Sequence, residues 1–225
     1  MPIRPKRADE SEPVFDVDSV SRTPQQERSK ASLGRMVVAA RELMLERGSE
    51  DFTLQEVSQR GEVSIGSIYL RFESKENLVR AVIAQSLEAV TDEETEVIER
   101  LGRESTDLDS FVPAYVEVYA EVLRKHAPLL RLSMERAAVD PLVSGPGKSH
   151  AIAAERKSVE AMLVHKEEIK GRDQRLKAQS AYHVIFATLA RHLSLGSTDE
   201  AASGYDWGVL KRELGRMCLA YLKAD

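Results

Sequence analysis

Two of the three serine hydroxyls, a phenol, a guanidinium and an ammonium group make a donor set in the stretch EVSIGSIYLRFESKENL, which runs from Glu62 to Leu78. They belong to Ser64, Ser67, Tyr69, Arg71 and Lys75. All five donate hydrogen bonds, and the last two are cationic at neutral pH. No nucleophile is paired with a base by spacing, in this stretch or elsewhere in the chain. Such a set is suited to holding anionic oxygen rather than to bond-making.

The spacing says how the set is presented. At 100° per residue, Ile65, Ile68, Tyr69 and Phe72 fall within an arc of about 100°, the expected buried side of a short helix. Tyr69 stands at the edge of that arc, with its ring expected to pack and its hydroxyl to face a phosphate backbone. Gly66, Ser67 and Leu70 occupy the opposite arc, flanked by Ser64 and Arg71. A helix that only packs would carry long charged side chains there. The major groove of B-form DNA just admits a helix, so small residues give clearance for close approach. Ser64 and the free N–H groups at the helix start suit a phosphate. Ser67 donates or accepts, Leu70 fits a thymine methyl, and Arg71 reaches a guanine or a phosphate. Lys75 adds a point charge at the start of the next helix, and Thr53 stands at the start of the preceding one, with further phosphate donors.

These residues need elements to hold them. From Arg28 the apolar positions Leu33, Met36, Val37, Ala40, Leu43 and Met44 recur at three and four, and Gly48 ends the run. Thr53 and Glu56 form a T-x-x-E capping box, with Phe52 and Val57 placed as a hydrophobic staple. Gly61 ends that helix after two turns, Ser64 caps a third helix running to about Arg71, and Ser74 caps a fourth. Two short helices joined by a turn and supported by a longer one make a helix-turn-helix. Long helices follow. Pro128 is expected to break one of them, VSGPGKS to be a loop, and the next helix to end near Gly171. Two closing helices flank LGSTDEAASGYD. No alternating strand pattern occurs, so the expected class is all-α.

The chain has 225 residues and a net charge of −5, which excludes binding to nucleic acid as a bulk polycation. Residues 22–80 hold ten Lys/Arg against nine Asp/Glu, whereas residues 91–140 hold six against twelve. A surface that meets a polyanion is therefore expected in the first third. The single cysteine, Cys218, excludes an internal disulfide and suits a reducing cytoplasm. No apolar run approaches a membrane span, and the histidines His126, His165, His183 and His192 show no metal-site pairing. No catalytic residue, metal or cofactor is expected.

The segment from Arg28 to Leu78 resembles the N-terminal domain of TetR-family transcriptional regulators. The resemblance lies in Ala39-Ala40, Leu43-Met44, Gly48, Thr53, Val57, Val63-Ser64, Gly66, Tyr69, Phe72, Ser74-Lys75-Glu76 and Leu78. In one respect the chain departs from the family pattern, because Gly61-Glu62 stands where Ala-Gly is usual. Either Glu62 takes a positive φ or Gly61 takes over the bend. Residues 1–26 mix Pro, Ser, Asp and Arg with little periodicity and are expected to form a flexible tail, while the resemblance implies a DNA-binding domain over 27–80 and a regulatory and dimerisation domain over 81–225. It further implies a cytoplasmic homodimeric repressor that a small molecule releases from double-stranded operator DNA. Candidate effector contacts are Tyr115, Tyr119, His126, Met134, Met162, His165 and Phe186. The candidate dimer interface comprises Tyr182, Ile185, Leu189 and His192 on one closing helix, with Trp207, Leu210, Leu214, Met217 and Tyr221 on the other. The alternative is an all-α ligand-binding protein or enzyme without DNA contact, which a negative surface around Ser67 and Arg71 would favour.

Overall fold

The computed structural model describes residues 27–196 and 205–225, with side chains from residue 30 onward. The N-terminal tail, with its basic start, lies outside the described residues, as does most of the connection between the closing helices. Among the described residues the protein is all-helical: α1 (Glu27–Arg47), α2 (Leu54–Arg60), α3 (Ile65–Arg71), α4 (Lys75–Glu104), α5 (Leu108–Ala137), α6 (Pro141–Leu163), α7 (Gln174–His192) and α8 (Trp207–Lys223). One turn of 3-10 helix at Lys166–Glu168 separates α6 from α7.

Two apolar clusters form the core. The first joins Met36, Val37 and Met44 of α1 to Val57, Ile68, Phe72 and the start of α4, and it also takes in Leu129 and Leu132 of α5 and Val143 of α6. The second fills the space among α4 to α8 around Phe111, Tyr115, Met162, Ile185 and Leu214. Helix α4 is common to both, because Leu78 to Ile83 lie in the first and Val90, Val97 and Leu101 in the second. Its 30 residues span about 45 Å at 1.5 Å per residue. One continuous rod thus runs from the helix-turn-helix into the body of the molecule.

Three helix boundaries differ from the sequence expectation. Pro128 does not break α5, which runs unbroken through Pro113 and Pro128. Proline removes one backbone hydrogen bond, but Leu123, Ala127, Leu129, Leu130 and Leu132 are buried on both sides of it, and that burial outweighs the loss. VSGPGKS is not a loop but the first two turns of α6. Asp140 caps that helix through Leu142 N–H (3.1 Å) and Pro141 occupies its first turn, a start signal that the Gly-Pro-Gly run obscured. Finally, α6 ends at Leu163 rather than near Gly171.

The turn between α2 and α3 resolves the Gly61-Glu62 question. Gly61 has an ordinary right-handed conformation (φ −82°), and Glu62 takes the left-handed one (φ 49°). Gly61 is needed for closeness instead, since a Cβ there would stand 3.1 Å from the carbonyl oxygens of both Arg35 and Val57. Gly61→Ala is therefore expected to lower stability by ~1–3 kcal/mol. Glu62→Gly should raise it by ~0.5–1 kcal/mol, the strain relieved less the entropy that glycine loses on folding. Urea unfolding of the two variants measures both, and a Glu62→Gly variant less stable than the parent would contradict the strain.

Candidate nucleic-acid interface and effector cavity

Each helix of the helix-turn-helix begins on a hydroxyl cap. Thr53 Oγ1 accepts from Glu56 N–H (3.2 Å), while the Glu56 carboxylate accepts from Thr53 N–H (2.7 Å). Arg47 also pairs with Glu56. The Arg47 guanidinium, and then the Thr53 N–H, hold the Glu56 carboxyl down at about 2. Ser64 Oγ accepts from Ser67 N–H (3.1 Å) and lies 2.7 Å from Ser67 Oγ; Ser74 caps α4 through Asn77 N–H (3.3 Å). Caps of this kind contribute ~1 kcal/mol each. Ser58 closes the turn from the α2 side by donating to Val63 O (2.5 Å).

Helix α3 is anchored by Ile68 and Phe72, both wholly buried, each worth ~2–3 kcal/mol of apolar burial. Ile65 is half-buried, and Gly66 and Leu70 are exposed beside a half-buried Ser67. Tyr69 is a correction: it is 57% exposed and stands with Leu70 on the open face, not at the rim of the core. The rotation of α3 is set by Ile68 and Phe72, four residues apart, and this swings position 69 outward. Arg71 is half-buried, and the Lys75 ammonium sits 4.8 Å from the Phe52 ring centre. Helix α3 carries no carboxylate. Glu62 lines a shallow depression with Ala31, Gly34, Arg35 and Val38 of α1, apart from the open face of α3.

A second feature escaped the sequence reading as a unit. Helices α4, α5, α6 and α7 enclose a cavity of about 530 Å³, a size suited to a small organic molecule. Of the seven candidate contacts, Tyr119, Met134 and Phe186 line it. The other four do not. Tyr115 is wholly buried and donates to Ser158 Oγ (2.7 Å), and Met162 is wholly buried in the core. His126 pairs with Glu93 (2.8 Å), and His165 packs on Phe111 at 5.6 Å between ring centres. Residues the sequence did not assign to an effector site, among them Val90, Glu94, Leu123, His150 and Tyr182, complete the wall. They come from four helices far apart in the chain, and no local spacing announces them.

The closing stripes are also redistributed. Tyr182, Ile185, Leu189 and Leu214 are buried within the protomer, so these four are not available to a second copy. Trp207 is half-buried, donates to Glu121 (2.8 Å) and stacks on His192 at 5.0 Å. Leu210 is half-buried, whereas Met217 and Tyr221 are exposed, along with Leu176 and Val184 of α7. Cys218 is buried, and burial pushes its thiol up to about 11, which makes it a poor nucleophile at neutral pH. Among the described residues no cluster of His, Cys, Asp or Glu could hold a metal, and no helix is long and apolar enough to cross a membrane.

An ion-pair node ties the cavity wall to the helix-turn-helix. Asp140 accepts from Arg80 of α4 (2.8 Å) and from Arg136 of α5 (2.9 Å), and Arg136 also reaches Glu50 between α1 and α2 (2.9 Å). Burial pushes the Asp140 carboxyl up, but the two guanidinium bonds outweigh it and hold the carboxyl below its usual range.

Residues 37–82 match the family model for bacterial regulatory proteins of the tetR family. No curated relative matches the chain by sequence. Among solved structures, the fold is similar to that of a Mesorhizobium loti protein described as a TetR-family transcriptional regulator, with a TM-score of 0.71 and 18% identity over 88% of this chain and 98% of that one. It is also similar to the fatty acid degradation regulator FadR of Bacillus halodurans, with a TM-score of 0.62 and 17% identity over 90% and 100% of the two chains. A transcriptional regulator of Cytophaga hutchinsonii gives 0.60 and 19% identity over 86% and 100%. The chain thus carries an N-terminal domain of the tetR regulatory family at residues 37–82, within the all-helical fold of the regulators of that family.

Proposed function

We propose that the protein is a ligand-responsive, sequence-specific DNA-binding transcriptional regulator, a repressor that a small molecule releases from its operator. The observation that carries this reading is the open face of α3: small at Gly66 and Ser67, free of carboxylates, and held rigidly from behind by Ile68 and Phe72. Residues 27–80 form the DNA-binding unit and residues 81–225 the regulatory and dimerising one. Ser64, Gly66, Ser67, Tyr69, Leu70 and Arg71 face the groove, with Thr53 and Lys75 on the flanking phosphates. A second copy docks on the exposed apolar residues of α7 and α8, Leu176, Val184, Met217 and Tyr221, with Leu210 at their margin. Twofold symmetry then places the half-sites about one helical turn apart.

The cavity is the effector site in this reading. Met134, Ala137, Ala138 and Val143 line it on either side of Arg136 and Asp140. A ligand that moves this corner shifts the ion pairs to Arg80 and Glu50, and with them the angle at which α4 presents α3. Selection of bound genomic fragments, followed by affinity measured against salt, tests the DNA claim. The expected result is enrichment of one twofold-symmetric sequence and a steep fall of affinity with salt as counterions are displaced. No enrichment together with a flat salt response would sink it.

A further inference from the structure

The cavity holds one side chain that the fold itself does not use. Glu94 is only 4% exposed, lines the cavity, and receives no hydrogen bond from the described residues. An unpartnered carboxylate in an apolar wall is costly, and a leucine there would pack without that cost. The basic group whose charge reaches it, Lys157, donates instead to Thr95 Oγ1 (2.6 Å). His150 of α6, also in the cavity wall, is 2.8 Å through Nδ1 from Thr91 Oγ1, on the same helix as Glu94. Burial, and then the charge of Lys157, favours the neutral form of His150.

Aromatic faces surround the same space. Tyr119 and Tyr182 line it with Phe186; the rings of Tyr119 and Tyr182 are 6.3 Å apart, and those of Tyr182 and Phe186 are stacked at 6.2 Å. The electron-rich face of such rings attracts cations. Burial holds both tyrosine hydroxyls, and that of Tyr115 behind them, above the ordinary range, so they remain neutral. Toward the mouth, His183 stands 3.6 Å from Glu155.

We propose that the cavity takes a lipophilic cation, a protonated amine on an apolar body, with the ammonium group on the Glu94 carboxylate and the apolar part against the aromatic and aliphatic wall. This rests on the cavity being the effector site, and it names the class of effector. A carboxylate ligand would set its charge against Glu94, whereas the one lysine in the wall, Lys148, is exposed to solvent.

Three probes with the same tail separate the possibilities: decylamine, decanol and decanoate, each titrated calorimetrically into the full chain and into Glu94→Gln at pH 8. The expected result is that decylamine binds the parent at least about tenfold more tightly than decanol, with decanoate weakest. In Glu94→Gln the amine loses its advantage over the alcohol. At pH 6 the amine preference shrinks in the parent as Glu94 protonates. His150, held neutral by burial and by the charge of Lys157, is present in both proteins, so the flat response expected of Glu94→Gln assigns the effect to Glu94. If decanol binds but the amine gains nothing, or Glu94→Gln keeps the preference, the proposal fails while the effector cavity stands. If no probe binds, the effector cavity fails and the proposal falls with it.

Discussion

Gly66→Glu is expected to abolish operator binding in a protein that folds at least as well as the parent. Position 66 lies in the first turn of α3, two residues after the Ser64 cap, and a Cβ built there meets nothing within 4 Å. Replacing a helical glycine recovers ~0.5–1 kcal/mol of backbone entropy, and a carboxylate in the first turn is favoured by the helix dipole. Thermal unfolding should therefore show equal or greater stability. At the groove the same carboxylate approaches phosphates and base edges, where a like-charge contact costs several kcal/mol. An affinity loss of about a hundredfold or more, ~3 kcal/mol, is expected by fluorescence anisotropy on the selected operator. Folding and binding thus move in opposite directions, which a merely structural role for α3 could not produce. Parental affinity in Gly66→Glu would mean that this face does not enter the groove.

The sequence disclosed the helix-turn-helix well because its signals are local. Caps at Thr53, Ser64 and Ser74, and the anchors Ile68 and Phe72, each depend on neighbours within four residues. Even the strained turn was foreshadowed, since Glu62 stands at a position where glycine is usual, and it adopts φ 49°. A helical wheel misplaces Tyr69, because it gives angles but not the tilt of the helix on its support. The first two turns of α6 read as a loop for a related reason: Gly145, Pro146 and Gly147 look like a breaker, yet Asp140 and Pro141 start a helix that Val143 secures in the core.

The body of the molecule was far less legible. The stripes on α7 and α8 are apolar on more than one side, and a stripe does not say whether its partner is the same chain or another. Packing against α5 decides it for Ile185, Leu189 and Leu214, and leaves Met217 and Tyr221 outside. The cavity depends on four helices meeting, so Glu94 looked like one more carboxylate in the acidic run TDEETEVIER. Its neighbour Glu93 is an ordinary member of that run, paired with Lys125 and His126 at the surface. One residue along, the helix has turned by 100° and the same side chain faces the interior.

That turn should be visible in the pH dependence of stability. Burial pushes the Glu94 carboxyl up from an ordinary 4.5 to about 7, against the smaller opposing charge of Lys157. With the folded value above the unfolded one, the folded state binds more protons between these limits. The contribution is therefore fully present below pH 4.5 and is lost as pH rises through 7. The loss is about 3 kcal/mol at ~1.4 kcal/mol per unit. Other groups run the other way. Glu56, held at about 2 by Arg47, and Asp140, held low by its arginines, add stability as pH rises through the acid range. His150, held neutral by burial, adds stability as pH rises through the ordinary histidine range, and so partly masks Glu94 in the parent curve. Glu94→Gln removes one contribution and leaves the rest. The expected difference, variant minus parent, is near zero at pH 4, where glutamine and protonated glutamate are alike, and about 3 kcal/mol in favour of the variant at pH 8. Urea unfolding at the two pH values measures it. A difference that is the same at both would mean that Glu94 is solvated when ionised, and the carboxylate would then be no more than part of the acidic surface.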